Sequence, residues 1–460
     1  MKKLLCVLLA ALMIAAIFTG CAVEPGPLRI CVDLSFGGLI EAGIDKMFYD
    51  IFGVLQSYEK IGEYEVEYIP AEGPERETAL DRIRTEIMSG KGPDVFILSC
   101  IREDFVNAHQ EALFPSPEKA MESDLFLPLD EYIENNAAYG EWDQFTEKIL
   151  DAGKNKEGQQ IIPIAYTLPI IVYRAEDVDT DIMNGKTWDE ILADEALYKL
   201  MAPLADGERP HYNVFDETGS RSTDSRGIDT NINYILGDLA DFKEEELLFS
   251  EEELQQRVRE ICEMKDFVEE NEIYDTTGWY EEYLGDDFYR CYFAEKNGIY
   301  PETDEISIFP LRSQDGGVTA TVTSFAAVNR NTRRPEEAFA VIDRLLYFGI
   351  MQESWIYSDY FFCYGDNDSA IPLHTGLFTE EFSRSGGANG IKWSNTHRFP
   401  PQIQEEFFKV LDDISHVEFA DSLHMELENM MLAVMQTKSE EEREKVVSEH
   451  YAVLKRIMAE

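Results

Sequence analysis

Small polar and aromatic side chains follow two short apolar runs near the start of the chain. Leu28–Asp33 is followed closely by Ser35 and Phe36, and Val95–Leu98 is followed at once by Ser99. A serine hydroxyl both donates and accepts hydrogen bonds, and the glycines after Phe36 are too small to cover its ring. A ligand rich in hydroxyl groups needs this combination of polar contacts and flat aromatic faces. The alternative for Ser35 and Ser99 is ordinary turn capping.

Two tryptophans further along the chain have few apolar neighbours in sequence. Trp279, with Tyr280 after it, follows Thr-Thr-Gly, and Trp393 lies in Gly-Ile-Lys-Trp-Ser-Asn. Both stretches are polar, contain glycine and lie outside any apolar stripe. We expect these rings to be exposed for stacking against a ligand, because a buried ring would need partners that the local sequence lacks. The alternative is simple packing on the protein surface.

Patterns typical of catalysis and metal binding are missing from the sequence. It contains neither HExxH nor GxSxG, and its cysteines form no CxxC pair. The stretch Asp177-Val-Asp-Thr-Asp181 alternates carboxylates as a calcium loop does, but Ile182 stands where the sharp turn requires glycine. Gly90-Lys91-Gly92 lacks the upstream glycine and the following serine or threonine of a phosphate-binding loop. We therefore predict no metal, no cofactor and no enzymatic activity.

The elements that must hold these side chains follow from the apolar periodicity. The sequence predicts strands at Leu28–Asp33, Glu65–Ile69 and Val95–Leu98. Before the third strand, a predicted helix carries an apolar stripe that reaches Met88, and Gly90 can end it in the left-handed conformation. The unbroken apolar run of the third strand indicates burial on both faces. This order predicts a doubly wound α/β fold, in which ligands bind beyond the carboxyl ends of the strands.

The N-terminal residues have the pattern of an export signal followed by a tether. Two lysines precede an uncharged run from Leu4 to Phe18, which is short for a membrane-spanning helix. Thr-Gly-Cys21 then resembles the lipobox of bacterial lipoproteins, with Phe18 where an aliphatic residue is usual. We expect a signal peptide at 1–20, lipidation of Cys21, a tether at 21–27 and an extracytoplasmic location, anchored to the cell membrane. The alternative is an ordinary cleaved signal with a chance cysteine.

The length, net charge and composition of the chain limit the possible functions further. A chain of 460 residues is too long for one ordinary core and suits two or more domains. The formal net charge of −50 repels phosphate backbones and anionic headgroups, so we exclude nucleic acid and expect only the tether to touch the membrane. Aromatic residues at 12% and apolar residues at 44% favour a packed globule over an acidic disordered chain.

Five stretches, in order along the chain, carry a resemblance to a known family. They are Arg84-x-x-Ile-x-Ser-Gly-x-x-Pro-Asp-Val95, Leu127–Ile133, Gly158–Tyr173, Thr187–Glu190 and Thr319–Leu346. Together they resemble the extracellular solute-binding proteins, family 1, that feed sugar ABC importers, the group that includes maltose-binding protein. The third stretch departs from the family because Arg174 follows it where asparagine is usual. The resemblance covers most of the chain from residue 28 and is thin from about 200 to 300.

The resemblance implies a periplasmic-binding-protein-like fold, with two doubly wound lobes joined by a hinge and a ligand cleft between them. We expect lobe 1 at 28–162 and 304–350, and lobe 2 at 163–303 and 351–460. The chain would cross between the lobes near 162–168, 300–305 and 349–355.

The resemblance also adds candidate ligand contacts. Family members commonly contact the ligand at positions that match Tyr166, Thr167 and Ser324, although Tyr166 could instead pack on the hinge. With the residues above, the expected ligand-binding set is Ser35, Phe36, Ser99, Tyr166, Thr167, Trp279, Tyr280, Ser324 and Trp393.

The function implied by the resemblance is that of a monomeric, lipid-anchored receptor. It would bind a carbohydrate, expected to be an oligosaccharide, and deliver it to the membrane subunits of an ABC permease. Three alternatives stay open at this point. The same fold can act as a sensor docked on a membrane signalling protein, or can bind a polyamine, peptide or metal chelate. The third alternative is a secreted carbohydrate-active hydrolase, although no nucleophile or acid–base motif supports it.

Overall fold

The structure, a computed structural model, describes residues 26–33, 49, 51–71, 73–100, 102–103, 109–174, 185–201, 232–271, 306–347, 371–375 and 401–459. Its strands are β1 (Leu28–Asp33), β2 (Tyr64–Ile69), β3 (Val95–Ser99), β4 (Arg102–Glu103), β5 (His109–Gln110), β6 (Lys154–Asn155), β7 (Gly158–Gln159), β8 (Ile161–Thr167), β9 (Ile170–Arg174), β10 (Ala240–Asp241), β11 (Glu246–Leu247), β12 (Ile306–Pro310), β13 (Val318–Val328), β14 (Ile371–Pro372) and β15 (Ile414–Phe419). Its helices are α1 (Pro74–Met88), α2 (Pro117–Glu122), α3 (Asp130–Asn136), α4 (Glu147–Asp151), α5 (Trp188–Ala193), α6 (Glu195–Met201), α7 (Asn233–Leu236), α8 (Glu251–Asn271), α9 (Pro335–Leu345), α10 (Pro401–Asp413), α11 (Ser422–Met435) and α12 (Glu440–Ala459).

The three strands predicted from the sequence form, and they lie side by side in a seven-stranded sheet. The order of this sheet is β14-β8-β13-β3-β1-β2, and β15 also pairs with β13. Strand β1 pairs in parallel with both β2 and β3, so the carboxyl ends of these strands point the same way. All five residues of β3 are buried, which confirms that it is covered on both faces. The α/β fold class is thereby confirmed.

Strand β13 is the longest in the sheet and connects its parts. Its second half, from Ser324 onward, pairs antiparallel with β3, and its first half pairs in parallel with β15. Strand β8 pairs with the middle of β13, and this stretch overlaps the β13 residues that pair with β3 and with β15. Strand β8 must therefore pair with the edge of β13 opposite to the edge used by β3 and β15. All eleven residues of β13 are buried. This strand is therefore the central element of the described sheet.

Helix α1 lies between β2 and β3 in the sequence, as predicted. Its residues Leu80, Ile83 and Ile87 are buried, whereas Met88, predicted on the same stripe, is 89% exposed. That part of the prediction was wrong because the helix ends at Met88, which lies one residue past Ile87 and so turns away from the buried face. Gly90 follows with φ of 72°, which confirms the left-handed ending.

The buried apolar residues form two separate cores. The first core contains β1, β2, β3, β8, β13 and β15, covered by helices that include α1, α2, α9 and α10. The second core is built from helices α5 to α8, α11 and α12. Trp188 is fully buried in the second core and donates its indole N–H to Glu260 at 2.8 Å, so its role at the start of α5 is structural.

The chain passes between the two cores twice in its described part. Leu311 belongs to the second core and Val318 to the first, while Ala420 belongs to the first and Leu423 to the second. The crossings expected near 300–305 and 349–355 fall outside the described residues. The lobe boundaries therefore stay a prediction. Among the described helices, none is long and apolar enough to cross a membrane.

Candidate functional site

The expected ligand contacts divide into two groups. Ser35, Phe36, Trp279, Tyr280 and Trp393 lie outside the described residues, as does the expected lipidation site Cys21. Ser99, Tyr166, Thr167 and Ser324 are described, and all four are buried. They lie on three neighbouring strands, β3, β13 and β8, so the structure brings this second group together.

Ser99 and Ser324 face each other across two strands. Ser99 is the last residue of β3, as the sequence predicted for the end of the apolar run, and it is the register partner of Ser324 on β13. Side chains that are directly opposite in an antiparallel pair lie on the same face, with their Cβ atoms about 5 Å apart. The two serines are therefore neighbours at the carboxyl end of β3. The Ser99 hydroxyl donates to the carbonyl of Cys100, and the Ser324 hydroxyl has no partner among the described residues.

Strand β8, where a crossing between lobes was expected near 162–168, brings the other two residues beside β13. Tyr166 packs in the first core, where burial raises the pKa of its phenol and keeps the hydroxyl neutral. Thr167 is the register partner of Thr321, and its Oγ1 lies 3.4 Å from the hydroxyl oxygen of Tyr234 in α7. Thr167 thus faces the second core, whereas Tyr166 faces the first. Their contact with a ligand stays a prediction.

A row of threonines on β13 extends this polar region. Thr319, Thr321 and Thr323 alternate with Val318, Ala320 and Val322, and the apolar set packs in the first core. Alternate residues of a strand point to opposite faces, so the three threonines share the face away from that core. The hydroxyls of Thr319 and Thr321 are buried and have no hydrogen-bond partner among the described residues. Sequence analysis missed this threonine face, although the alternation in Val-Thr-Ala-Thr-Val-Thr could have revealed it.

The threonine face lies against the second core. Glu418 of β15 is the register partner of Thr321, and it accepts a hydrogen bond from the Asn233 amide of α7 at 3.1 Å. The contact between Thr167 and Tyr234 lies on the same side of the sheet. This seam between the two cores therefore offers buried hydroxyls as donors and acceptors. No cluster of potential metal ligands occurs among the described residues.

A buried ion pair fixes the carboxyl end of β1. Asp33 receives two hydrogen bonds from the Arg76 guanidinium of α1, at 2.6 and 2.9 Å. Arg76 also donates to the backbone carbonyls of Pro70 and Glu111. One side chain therefore ties together the ends of β1 and β2 and the segment after β5. Asp33 directly precedes the stretch with Ser35, so this pair positions the chain where it enters that stretch.

Comparison with known sequences finds a family match in the first half of the chain. Residues 39–218 match the bacterial extracellular solute-binding protein family. This match confirms the resemblance seen in the sequence, and the matched stretch includes β2, α1, β3 and β8. No curated protein matches the sequence.

Solved structures share the fold of this solute-binding family over nearly the whole chain. A periplasmic oligogalacturonide-binding protein from Yersinia enterocolitica is 15% identical, with a TM-score of 0.51 over 94% of this chain and 100% of that one. A family 1 extracellular solute-binding protein from Alicyclobacillus acidocaldarius is 12% identical, with a TM-score of 0.51 and the same coverage. A cyclic α-maltosyl-1,6-maltose-binding protein from Arthrobacter globiformis is 14% identical, with a TM-score of 0.50, again over 94% and 100%. The fold is that of periplasmic binding proteins.

Proposed function

We propose that this protein is a lipid-anchored extracellular receptor that binds a carbohydrate in the seam between its two cores and delivers it to an ABC permease. Binding would involve the threonine face of β13, the serine pair Ser99 and Ser324, and the aromatic residues expected in the cleft. The expected lobes, 28–162 with 304–350 and 163–303 with 351–460, would close on the ligand by a hinge motion.

The observation that carries the proposal is the pair of buried hydroxyls on Thr319 and Thr321. Burying a hydroxyl without a hydrogen bond costs about 1–3 kcal/mol, and neither has a partner among the described residues. A carbohydrate offers hydroxyl groups that both donate and accept, so it can satisfy such a row along a strand. The match to a solute-binding family supports a binding role for this face.

Charge favours a neutral oligosaccharide over an acidic one. Among the structurally similar proteins, one is named for an oligogalacturonide, whose sugar units carry carboxylates, and one for a neutral cyclic maltosyl-maltose. The formal net charge of this chain is −50, and Glu418 lies beside Thr321 on the neighbouring strand. A polyanion would be repelled by the whole surface, so we propose a neutral ligand of several sugar units.

A thermal-shift screen tests the ligand class. Purified protein would be heated with neutral maltose-type oligosaccharides, their monosaccharides, and digalacturonate. A true ligand at a hundredfold excess over its Kd should stabilise the folded state by about 2.7 kcal/mol. Stabilisation by digalacturonate alone would reject the neutral ligand, and conversion of a glycoside to products would favour the hydrolase instead.

A pair of threonine variants tests the site. Thr321→Val replaces an unpartnered hydroxyl by a methyl group, which should leave the stability of the free protein unchanged or raised. The same change should weaken binding by about 0.5–1.5 kcal/mol in calorimetry, because a hydrogen bond to the ligand is lost. Thr85→Val, on the exposed face of α1, is the matched control and should bind normally. Normal binding by Thr321→Val would remove the threonine face from the site.

The proposed anchor and delivery steps have separate tests. Cys21→Ser should release the protein from membranes. The acidic body has no affinity for anionic lipid, so the diacylated cysteine provides all of the membrane affinity. Persistence in the membrane fraction after a high-salt wash would reject the anchor. Delivery to a permease should appear as uptake of the identified sugar that is lost when the gene for this protein is deleted. A loss of signalling with uptake intact would indicate a sensor.

A further inference from the structure

The chain passes from the first core to the second over three residues after β15. Phe419 and Ala420 pack in the first core, and Leu423 packs in the second. Ser422, between them, donates its backbone N–H and its hydroxyl to the carbonyl of Pro115, just before α2. Any movement of one core relative to the other must be accommodated at or near this crossing.

Four titratable side chains surround the crossing, and we call them the junction cluster: Glu118, Glu418, Asp421 and His424. Glu418 approaches His424 Nε2 at 2.6 Å, and Asp421 approaches His424 Nδ1 at 2.9 Å. Glu118 of α2 accepts a hydrogen bond at 3.0 Å from the backbone N–H of Phe419. Since α2 belongs to the first core and His424 to a second-core helix, the cluster spans both cores.

The junction cluster has more acid than base. Three carboxyl groups share a single imidazole, and Lys119, next to Glu118, instead caps the end of α12 through the carbonyls of Ile457 and Met458 at 2.7 and 2.8 Å. One oxygen on each carboxyl group, Glu118 Oε2, Glu418 Oε2 and Asp421 Oδ2, is buried without a partner among the described residues. A buried carboxylate oxygen in this state is costly, and a retained proton on one of the acids would relieve the cost.

The electrostatic surroundings show which acid retains the proton. Burial and the negative charge of Asp421 raise the pKa of Glu118 to about 8. Burial favours the neutral form of His424, but Glu418 and Asp421 hold its pKa well above the ordinary value for histidine. Near neutral pH, Glu118 is therefore a neutral acid beside a positively charged imidazolium.

We propose that the junction cluster is a proton-dependent latch between the two cores, closed while Glu118 is protonated and weakened when Glu118 ionises. As a neutral acid, Glu118 can donate from one oxygen to an unpartnered carboxylate oxygen while the other accepts from the Phe419 N–H. Among the described residues, the Asn233 amide of α7 donates to Glu418, and Thr321 of β13 is the register partner of Glu418. The backbone N–H groups of Leu423 and His424 donate to Asp421. None of these groups can neutralise a second negative charge. The latch does not depend on what the cleft binds.

The direction of the pH effect follows from linkage. The folded state holds the Glu118 proton up to about pH 8, whereas the unlatched or unfolded chain loses it near the ordinary value of 4.5. Folded protein therefore binds more protons than unfolded protein between these values, and stability falls as the pH rises through this window. His424 acts in the same direction, because its contribution is complete below its ordinary pKa and is lost as the pH rises through its raised one.

Equilibrium unfolding in urea of the parent and Glu118→Gln, between pH 7 and 9, tests the latch. Glutamine keeps the acceptor for Phe419 and the donor that a protonated acid provides, but it cannot ionise. We expect the folding equilibrium constant of the parent to fall over this range by about tenfold more than that of Glu118→Gln. Glu122→Gln removes the same charge from the solvent-accessible end of the same helix and should follow the parent. Identical pH profiles for all three proteins would overturn the proposal.

Infrared absorption of the parent provides a second measurement that needs no variant to fold. At pH 7 the parent should show the carbonyl band of a protonated carboxyl group, and the band should vanish by pH 9. Glu122→Gln should keep this band, and a folded Glu118→Gln protein should lack it. A parent protein without the band at pH 7 would overturn the proposal even if Glu118→Gln proved insoluble.

Discussion

Two groups of buried carboxylates in this protein differ in how completely they are partnered. Within the first core, Asp33 forms a bidentate salt bridge with Arg76. Asp343 accepts four hydrogen bonds, three from the backbone N–H groups of 138–140 and one from the Trp142 indole. In the junction cluster, by contrast, each of the three carboxyl groups keeps one oxygen without a partner among the described residues.

This difference has a physical meaning. A fully partnered buried carboxylate resists change, because removing any one partner leaves a desolvated charge. An under-partnered cluster can adjust its charge by taking up or releasing a proton at modest cost. The fully partnered carboxylates lie inside one core, where no relative movement of the cores has to be accommodated. The under-partnered cluster lies at a crossing between cores, where the proposed closure around a ligand would require movement.

The largest effect should come from breaking the fully partnered pair. Arg76→Ala leaves Asp33 buried without its cation, so we expect a loss of about 3–5 kcal/mol in the free energy of unfolding, measured in urea. Arg82→Ala on the same helix is the control: Arg82 is 47% exposed and pairs at the surface with Glu67 and Glu86, so its loss should cost about 1 kcal/mol.

A double variant shows whether the loss comes from the uncompensated charge. Asp33→Leu combined with Arg76→Met removes both charges and keeps similar volumes, so most of the lost stability should return. If the double variant is as unstable as Arg76→Ala, the contacts of Arg76 with the carbonyls of Pro70 and Glu111 carry the effect instead.

Much of the first core was predictable from the sequence, because its elements are local patterns. The strand Val95–Leu98 is an unbroken apolar run bounded by Asp94 and Ser99, and Gly90 marks the end of the preceding helix. Such signals depend only on neighbours in sequence. Met88 was misplaced because a periodic stripe does not show where the helix ends, and one residue rotates the side chain by about 100°.

The polar networks were not predictable in the same way. Arg76 and Asp33 lie 43 residues apart, and the junction cluster joins Glu118 to residues about three hundred positions later. With 90 acidic residues in the chain, no spacing distinguishes the few that are buried together. Only the threonine face had a local signal in the sequence, which is the alternation along β13. Its orientation toward the second core depends on strand pairing in the sheet and could not be predicted from that alternation.

An intermediate effect should follow from removing the shared cation of the junction cluster. His424→Gln keeps a polar side chain of similar size but no charge, so we expect a loss of about 1.5–3 kcal/mol near pH 6. The loss should shrink as the pH rises through the raised pKa of His424, because the parent then loses the same charge. His450→Gln is the control, since His450 contacts a single carboxylate, Glu426. A loss for His424→Gln that is the same at pH 6 and pH 9 would contradict this role.

The smallest effect should come from a histidine two residues before the junction cluster on the same strand. His416 contacts Asp238 at 2.9 Å and Asp315 at 2.8 Å, and the hydrogen bond with Asp238, followed by the charge of Asp315, raises its pKa. Both aspartates are more than half exposed, so solvent screens these pairs. We expect His416→Gln to cost about 0.2–1 kcal/mol at pH 6.

Salt separates the two histidines further. In about 1 M salt the Debye length falls to about 3 Å, so the cost of His416→Gln should disappear, whereas that of His424→Gln should remain. Unfolding both variants in urea at low and high salt measures this directly. Equal salt sensitivity of the two variants would mean that water reaches the junction cluster. A solvated Glu118 would ionise at its ordinary pKa, so a latch that depends on one retained proton could not then operate.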